Sequence, residues 1–246
     1  MHIISKMALR LDILAFASHP DDVELSCSGT LMKHIDKGYK IGIVDLTEGS
    51  LGSRGTVATR YKEAKKASEI MGITVRENLQ FRDGFFEINE AHLLKVITVI
   101  RKYQPAIILA NAIYDRHPDH KRGGDLVSRA NFLSGLIKIE TEANGKKQQL
   151  WRAKKLFRYI QESYLKPDFA IDISAYAQKK LACIQAFSTQ FYNPESTEIE
   201  TPISTKNYLD YVLSKDKVFG KQINVDYAEG FICEQPSGIE DLFHMQ

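Results

Sequence analysis

Apolar residues in this chain fall into short, mostly apolar runs separated by longer stretches of helical spacing. Residues 11–17 and 39–46 are runs of this kind, as expected of strands buried on both faces. Between them Val23, Leu31 and Ile35 recur near helical spacing, which predicts a helix over 23–37 stopped by Gly38. A glycine-rich loop follows at 47–55, then a helix over 58–71 closed by Gly72. A short strand is expected at 78–81, with a turn at Asp83-Gly84. Asn89 suits the cap of a helix over 90–103, and Pro105 separates that helix from a strand at 106–110.

A helix is predicted from about His120 to Leu136, and then a polar stretch at 141–149 with a turn at Asn144-Gly145. Later strands are read at 155–160 and 169–173, with Lys166-Pro167 between them. Ser174 suits an N-cap for a helix over 175–188, and 192–205 reads as loop. A last helix over 207–219 and an apolar segment at 227–233 complete the pattern. Strand and helix alternate through the first half, the signature of βαβ units: an α/β fold with a parallel sheet and helices on both faces.

Length and charge narrow the classes. The 246 residues are 43% hydrophobic and 26% charged, with net charge +2, the make-up of a globular protein with a substantial core. One domain spanning 1–246 is expected, with 1–6 a loose extension ahead of Met7. Basic residues are scattered, so nucleic acid is not the expected partner. No apolar run approaches the roughly 18 residues of a membrane span. The first residues lack a basic-then-apolar leader, so a cytoplasmic location is expected. Cys27, Cys183 and Cys233 form no C-x-x-C pair and read as buried or semi-buried thiols.

Candidate chemistry sits where two of the strands end. Ser18-His19-Pro20-Asp21-Asp22 ends the first apolar run, and Asp115-Arg116-His117-Pro118-Asp119-His120 follows the run at 106–110. In open α/β sheets ligands collect at the carboxyl ends of strands. Either cluster alone reads equally well as a capped helix start, because Asp near a helix N-terminus is favourable in itself. Two such clusters, each with His and Asp, suggest a metal site assembled across the sheet. His19 and Asp22 are three apart at a helix start and can turn toward one point, with His120 as third ligand. Such a set leaves a position for water, whose pKa the metal lowers toward neutrality. Asp21 is then the general base, and His117 stands near the oxyanion or leaving amine with Asp119 holding its imidazole. Arg54 and Arg60 could meet an anionic or hydroxyl-rich ligand through their planar forks, although a solvated side chain is the plainer reading of Arg54. The loop at 49–55 lacks a G-x-G-x-x-G or P-loop pattern and suggests no nucleotide. His2, His34, His92 and His244 lack such companions.

Two other classes share parts of this pattern. Two histidines and a carboxylate also make the facial triad of non-haem iron oxygenases, though a spare Asp beside the ligands favours hydrolysis. A non-catalytic sugar- or metal-binding protein would need a fourth protein ligand to close a structural site.

The pair His19-Pro20-Asp21-Asp22 and His117-Pro118-Asp119-His120 resembles the LmbE/PIG-L family of zinc-dependent N-acetylglucosamine deacetylases. Leu51-Gly52-Ser53-Arg54-Gly55-Thr56, Phe81-Arg82-Asp83-Gly84-Phe85-Phe86, Leu165-Lys166-Pro167-Asp168 and Tyr227-Ala228-Glu229-Gly230-Phe231 further resemble its bacillithiol-biosynthesis branch. The resemblance implies a Rossmann-like three-layer sandwich with zinc (or Fe2+ or another divalent metal) on His19, Asp22 and His120. It implies Asp21 as base, and His117 supported by Asp119. It also implies substrate contacts from Arg60, Arg152 and Tyr208. The substrate it implies is N-acetylglucosaminyl malate, cleaved to glucosaminyl malate and acetate, and the assembly a homo-oligomer, often a hexamer.

Overall fold

The computed structural model describes residues 9–239, 241 and 243; the extension expected at 1–6, with His2 and His244, lies outside the described residues. In chain order the elements are β1 (Ile13–Ala17), α1 (Asp22–Ser26), α2 (Ser28–Asp36), β2 (Ile41–Thr47), α3 (Val57–Met71), β3 (Val75–Phe81), α4 (Glu90–Tyr103), β4 (Ile107–Ala110) and α5 (Pro118–Ser134). A hairpin of β5 (Glu142–Ala143) and β6 (Lys146–Lys147) turns at Asn144-Gly145. Then come β7 (Lys155–Tyr159), β8 (Phe169–Asp172), α6 (Ala177–Gln185), α7 (Lys206–Gln222) and β9 (Ala228–Cys233).

Seven strands form one sheet in the order β3-β2-β1-β4-β7-β9-β8. Pairing is parallel from β3 through β7, and β9 runs antiparallel to both β7 and β8. The expected α/β architecture with a mostly parallel sheet is therefore the observed one. β1 shows why its residues are apolar without a break. Leu14 and Phe16 join the core under α4 and α5, whereas Ile13, Ala15 and Ala17 join the core with Val23, Leu31, Met71 and Cys183 on the other face. Successive side chains alternate between two buried layers. Among the described residues no helix is long and apolar enough to cross a membrane.

Local signals place the helix ends. Thr56 caps α3 reciprocally with Thr59, and Gly72 closes that helix in the left-handed region at φ 83°. Asn89 caps α4 as expected, accepting from the His92 N–H. Pro118 opens α5 at its first turn, where its missing N–H costs nothing.

Three predicted elements differ. The helix expected over 23–37 breaks at Cys27 into α1 and α2. The break gives α2 its own N-terminus, where the N–H groups of Gly29 and Thr30 donate to the Glu229 carboxylate at 3.0 and 2.7 Å. The strand expected at 78–81 begins at Val75 instead. Arg76 hides its start from an apolar pattern, because this charged side chain turns inward to Asp45 and Glu24. The helix expected over 175–188 opens as a 3₁₀ turn at Ser174–Tyr176, and Ser174 does not cap α6: its hydroxyl donates to Asp172.

Glycines bring α5 hard against the strand ends. A Cβ on Gly124 would lie 2.5 Å from the Asn111 carbonyl oxygen and overlap the Arg158 guanidinium, and one on Gly123 would overlap the Ser18 hydroxyl. Gly124→Ala is therefore expected to destabilise the protein by about 1–3 kcal/mol despite the better helix propensity of alanine. Urea denaturation reads this as a lower midpoint at unchanged slope, and an unchanged or raised midpoint contradicts the close approach.

Candidate metal centre

The chain leaves β1 to build β2 and β3 on one side, then returns to build β4 on the other. The crevice between the carboxyl ends of β1 and β4 is thus the switch point of the sheet. His19 follows β1, and His117 and His120 open α5 after β4, so both clusters reach this crevice. Their ring centroids lie 4.7 Å apart for His19 and His117, 5.0 Å for His117 and His120, and 5.6 Å for His19 and His120.

Asp22 sits between two of these rings. Its Oδ1 is 3.1 Å from His120 Nε2, and its Oδ2 is 3.9 Å from His19 Nδ1. On the far side of each ring stands another carboxylate. His19 Nε2 lies 3.1 Å from Asp83 and 3.4 Å from Asp119, and His120 Nδ1 lies 2.9 Å from Asp115. Burial opposes charge on both imidazoles. The acids outweigh it: Asp119, Asp83 and Asp22 raise His19 to about 10, and Asp22 and Asp115 raise His120 to about 9. Burial also opposes charge on Asp22, yet the two imidazoles hold it well below the usual carboxylate range.

Asp21 has the opposite balance. Burial and the neighbouring Asp22 push its carboxyl up to about 7, against the pull of Arg60. Arg60 donates to Asp21 Oδ2 at 2.8 Å and to the Pro20 carbonyl at 2.9 Å. The Asp21 backbone is held at φ 136°, a region costly for a residue with a Cβ. His117 is lowered, first by burial and then by the other two imidazoles. Its Nδ1 accepts from the Asp119 N–H at 3.2 Å, so the neutral ring carries its proton on Nε2.

The donors fit a divalent cation. Ring nitrogens of His19, His117 and His120 lie within 4.8 Å of one another, and so do donor atoms of His19, Asp83 and Asp119; Asp22 belongs to neither group but sets one oxygen 3.1 Å from His120 and the other 3.9 Å from His19. Imidazole nitrogen with carboxylate oxygen suits Zn2+ or Fe2+. The surplus of carboxylates gives such an ion the negative charge it needs.

Other expected residues divide. Tyr208 reaches the centre, lining a small recess with His120, Gln161, Glu162 and Lys215. Arg60 reaches it as the partner of Asp21. The Asp119 carboxylate does not hold His117: it accepts from the Gly84 N–H at 2.9 Å and pairs with Arg122 at 2.8 Å and with His19, because α5 directs this side chain across the mouth of β1. Arg54 is buried rather than solvated, its guanidinium bonded to Ser196 beside Glu198. Arg152 is not brought to the crevice. It stacks on Phe132 and donates to the Phe132 carbonyl, about 18 Å along α5 from His120. It precedes β7 and so lies at the amino end of the sheet.

Four residues of the centre carry no role in the sequence reading. Asp83 reads as part of a turn, and Asp115 opens the second cluster without an assigned partner. Asn111 and Gln161 are each the first or second residue beyond a strand, β4 and β7, the places where the strand-end rule directs attention.

A mostly parallel sheet with this donor set at its switch point is an arrangement suited to metal-dependent chemistry. Residues 14–131 match the family described as PIG-L, GlcNAc-PI de-N-acetylase. Over these residues the chain is similar to this family of N-deacetylases. Its fold is similar to that of a conserved protein from Thermus thermophilus, with TM-score 0.83 and 34% identity over 94% of this chain and 98% of that one. It is 28% identical over 241 residues to the diacetylchitobiose deacetylase of Thermococcus kodakarensis, covering 89% of this chain and 81% of the relative. It is 25% identical over 193 residues to a probable N-acetyl-alpha-D-glucosaminyl L-malate deacetylase 2 of Bacillus anthracis, covering 73% and 81%.

Proposed function

We propose that this chain hydrolyses the acetamido group of an N-acetylglucosamine conjugate, with zinc held by His19, Asp22 and His120. One observation carries the ligand assignment. Each of the two imidazoles turns one nitrogen to Asp22 and the other to a carboxylate, Asp83 and Asp119 behind His19 and Asp115 behind His120. That carboxylate–histidine arrangement fixes ring orientation and raises ligand basicity at metal sites. Fe2+ suits the same donors.

A bound metal would supply a water of lowered pKa and polarise the amide carbonyl. The chain's own groups do the rest. Asp21, near neutrality and steadied by Arg60, takes the proton of the attacking water as its oxygen bonds to the carbonyl carbon. The Nε2–H of His117 donates to the carbonyl oxygen as charge builds there. When the C–N bond breaks, the proton taken up by Asp21 passes to the amine nitrogen, leaving acetate and a free glucosamine. Tyr208 walls the side of the crevice beside His120.

The conjugate favoured here is N-acetylglucosaminyl malate, supported by the branch motifs and by the Bacillus relative; the Thermococcus relative supports diacetylchitobiose as the second candidate. Acetate release from both substrates, with and without chelator, tests the reading. Release that stops on chelation and returns with zinc is expected. Chelator-resistant release, or none from either substrate by the metal-loaded protein, contradicts it.

A further inference from the structure

Asp22 is held differently from the neighbouring acids that meet an arginine, and in lacking one it is like Asp83 and Asp115 among the described residues. Asp21 meets Arg60 at 2.8 Å, Asp119 meets Arg122 at 2.8 Å, and Asp45 and Glu24 share Arg76 at 2.7 and 2.6 Å. Among the described residues Asp22 pairs with no arginine or lysine within 4.0 Å. Two neutral amides hold it instead. Asn111 Nδ2 donates to Oδ2 at 2.9 Å, and Gln161 Nε2 donates to Oδ1 at 3.2 Å. The His19 backbone N–H adds a further bond to Oδ2 at 2.9 Å.

Neither amide is free to flip. Gln161 Oε1 accepts from Asn111 Nδ2 at 3.0 Å and from the Ala112 N–H at 3.1 Å, which leaves Nε2 to face Asp22. Asn111 is fixed through Gln161: a reversed Asn111 amide would set its oxygen against Gln161 Oε1, which the Ala112 N–H anchors, as well as against Asp22. A reversed amide would press an oxygen against the carboxylate. Lys215 donates to the Gln161 carbonyl and fixes that backbone from behind. Ser18 and Asn111 are fully buried and Gln161 nearly so.

We propose that Asn111 and Gln161 are positioning residues that set the affinity of the centre for its divalent metal. They fix both oxygens of Asp22 while leaving its full negative charge available. An arginine in their place would orient the carboxylate equally well but neutralise it, as Arg60 does for Asp21. Water would leave the charge but not the orientation. The proposal rests on Asp22 being a metal ligand. Removal of such outer partners typically costs about 10–100-fold in metal affinity.

The test is a chelator-competition titration of the full chain, stripped of metal, with Zn2+. Gln161→Met and Asn111→Ala are each expected to weaken binding about 10–100-fold. The double variant is expected to lose less than the product of the two, because both act on one network. At saturating zinc both single variants are expected to regain acetate release, since neither side chain takes part in the proposed chemistry. Circular dichroism and the urea midpoint report whether each variant is folded. Gln161→Asn, which keeps the amide but withdraws it by one methylene, serves if Gln161→Met unfolds, with the same sign of effect expected. Wild-type zinc affinity in the folded variants overturns the proposal, and so does an activity loss that excess zinc does not repair. Asp22→Asn separates the two readings: undiminished zinc affinity in that variant overturns the ligand assignment itself, and this proposal with it.

Discussion

Asp21→Asn is expected to lower acetate release by about 10²–10⁴-fold at saturating zinc, the usual cost of removing a general base. Asparagine keeps the shape of the side chain and can still accept from Arg60, but it cannot take a proton from water. Zinc affinity is expected to change little, because Asp21 lies outside the set His19, Asp22 and His120. A stability cost is expected as well: Arg60 is buried and keeps only neutral partners once the carboxylate has gone. The comparison therefore needs kcat on folded, metal-loaded protein. Near-wild-type kcat would remove Asp21 from the mechanism. A loss seen only in zinc affinity would reassign it to metal binding.

Much of this centre is legible in the sequence for a simple reason. β1 is buried on both faces, so its apolar run ends abruptly, and the polar residues that follow must lie at the carboxyl edge of the sheet. His19, Asp21 and Asp22 are visible in that way, and His117, Asp119 and His120 likewise after β4. The partners are harder to read, because each comes from a distant part of the chain and looks like ordinary loop. Asp83 reaches His19 across 64 positions, Asn111 reaches Asp22 across 89, and Gln161 reaches Asp22 across 139. Apart from their place just beyond a strand end, nothing local marks these residues. Only the strand order β1-β4-β7 brings the ends of β4 and β7 within side-chain reach of that of β1.

The same limit explains the misplaced groups. Sequence proximity pairs Asp119 with His117, but the first turn of α5 points its carboxylate at His19, Gly84 and Arg122 instead. Arg152 precedes β7, and the direction of that strand puts it at the end of the sheet remote from the metal centre. Strand direction is implicit in the parallel pattern, so the topology alone is enough to separate Arg152 from the site. The break at Cys27 has no such signal. It depends on Glu229, some two hundred positions away, supplying a carboxylate to the new N-terminus of α2.

That carboxylate belongs to another group of buried charges on which the molecule depends. Lys180 is fully buried, with Nζ 2.7 Å from Asp216 and 2.9 Å from Glu229. It joins α6 to α7 and β9, and through Glu229 to α2. Lys180→Met is expected to cost about 3–5 kcal/mol, the range for removing one partner of a buried ion pair, because two acids would remain without their cation. Burial opposes the lysine's charge, but the two acids outweigh it and hold Lys180 above its ordinary value. Its contribution is thus complete at neutral pH and is lost only as pH rises through that raised value. Asp216 behaves in the reverse sense: burial raises its carboxyl above the usual range even with Lys180 present. The folded variant would then hold a proton there that the unfolded chain releases, so its stability rises as pH falls toward the ordinary carboxylate range. Urea midpoints measured from pH 8 down to about 5 should therefore show the deficit shrinking. Lys180→Met combined with Asp216→Asn should recover part of the loss at pH 8 and flatten the pH dependence. A deficit that is constant with pH would mean that lost packing, rather than unpaired charge, accounts for the damage.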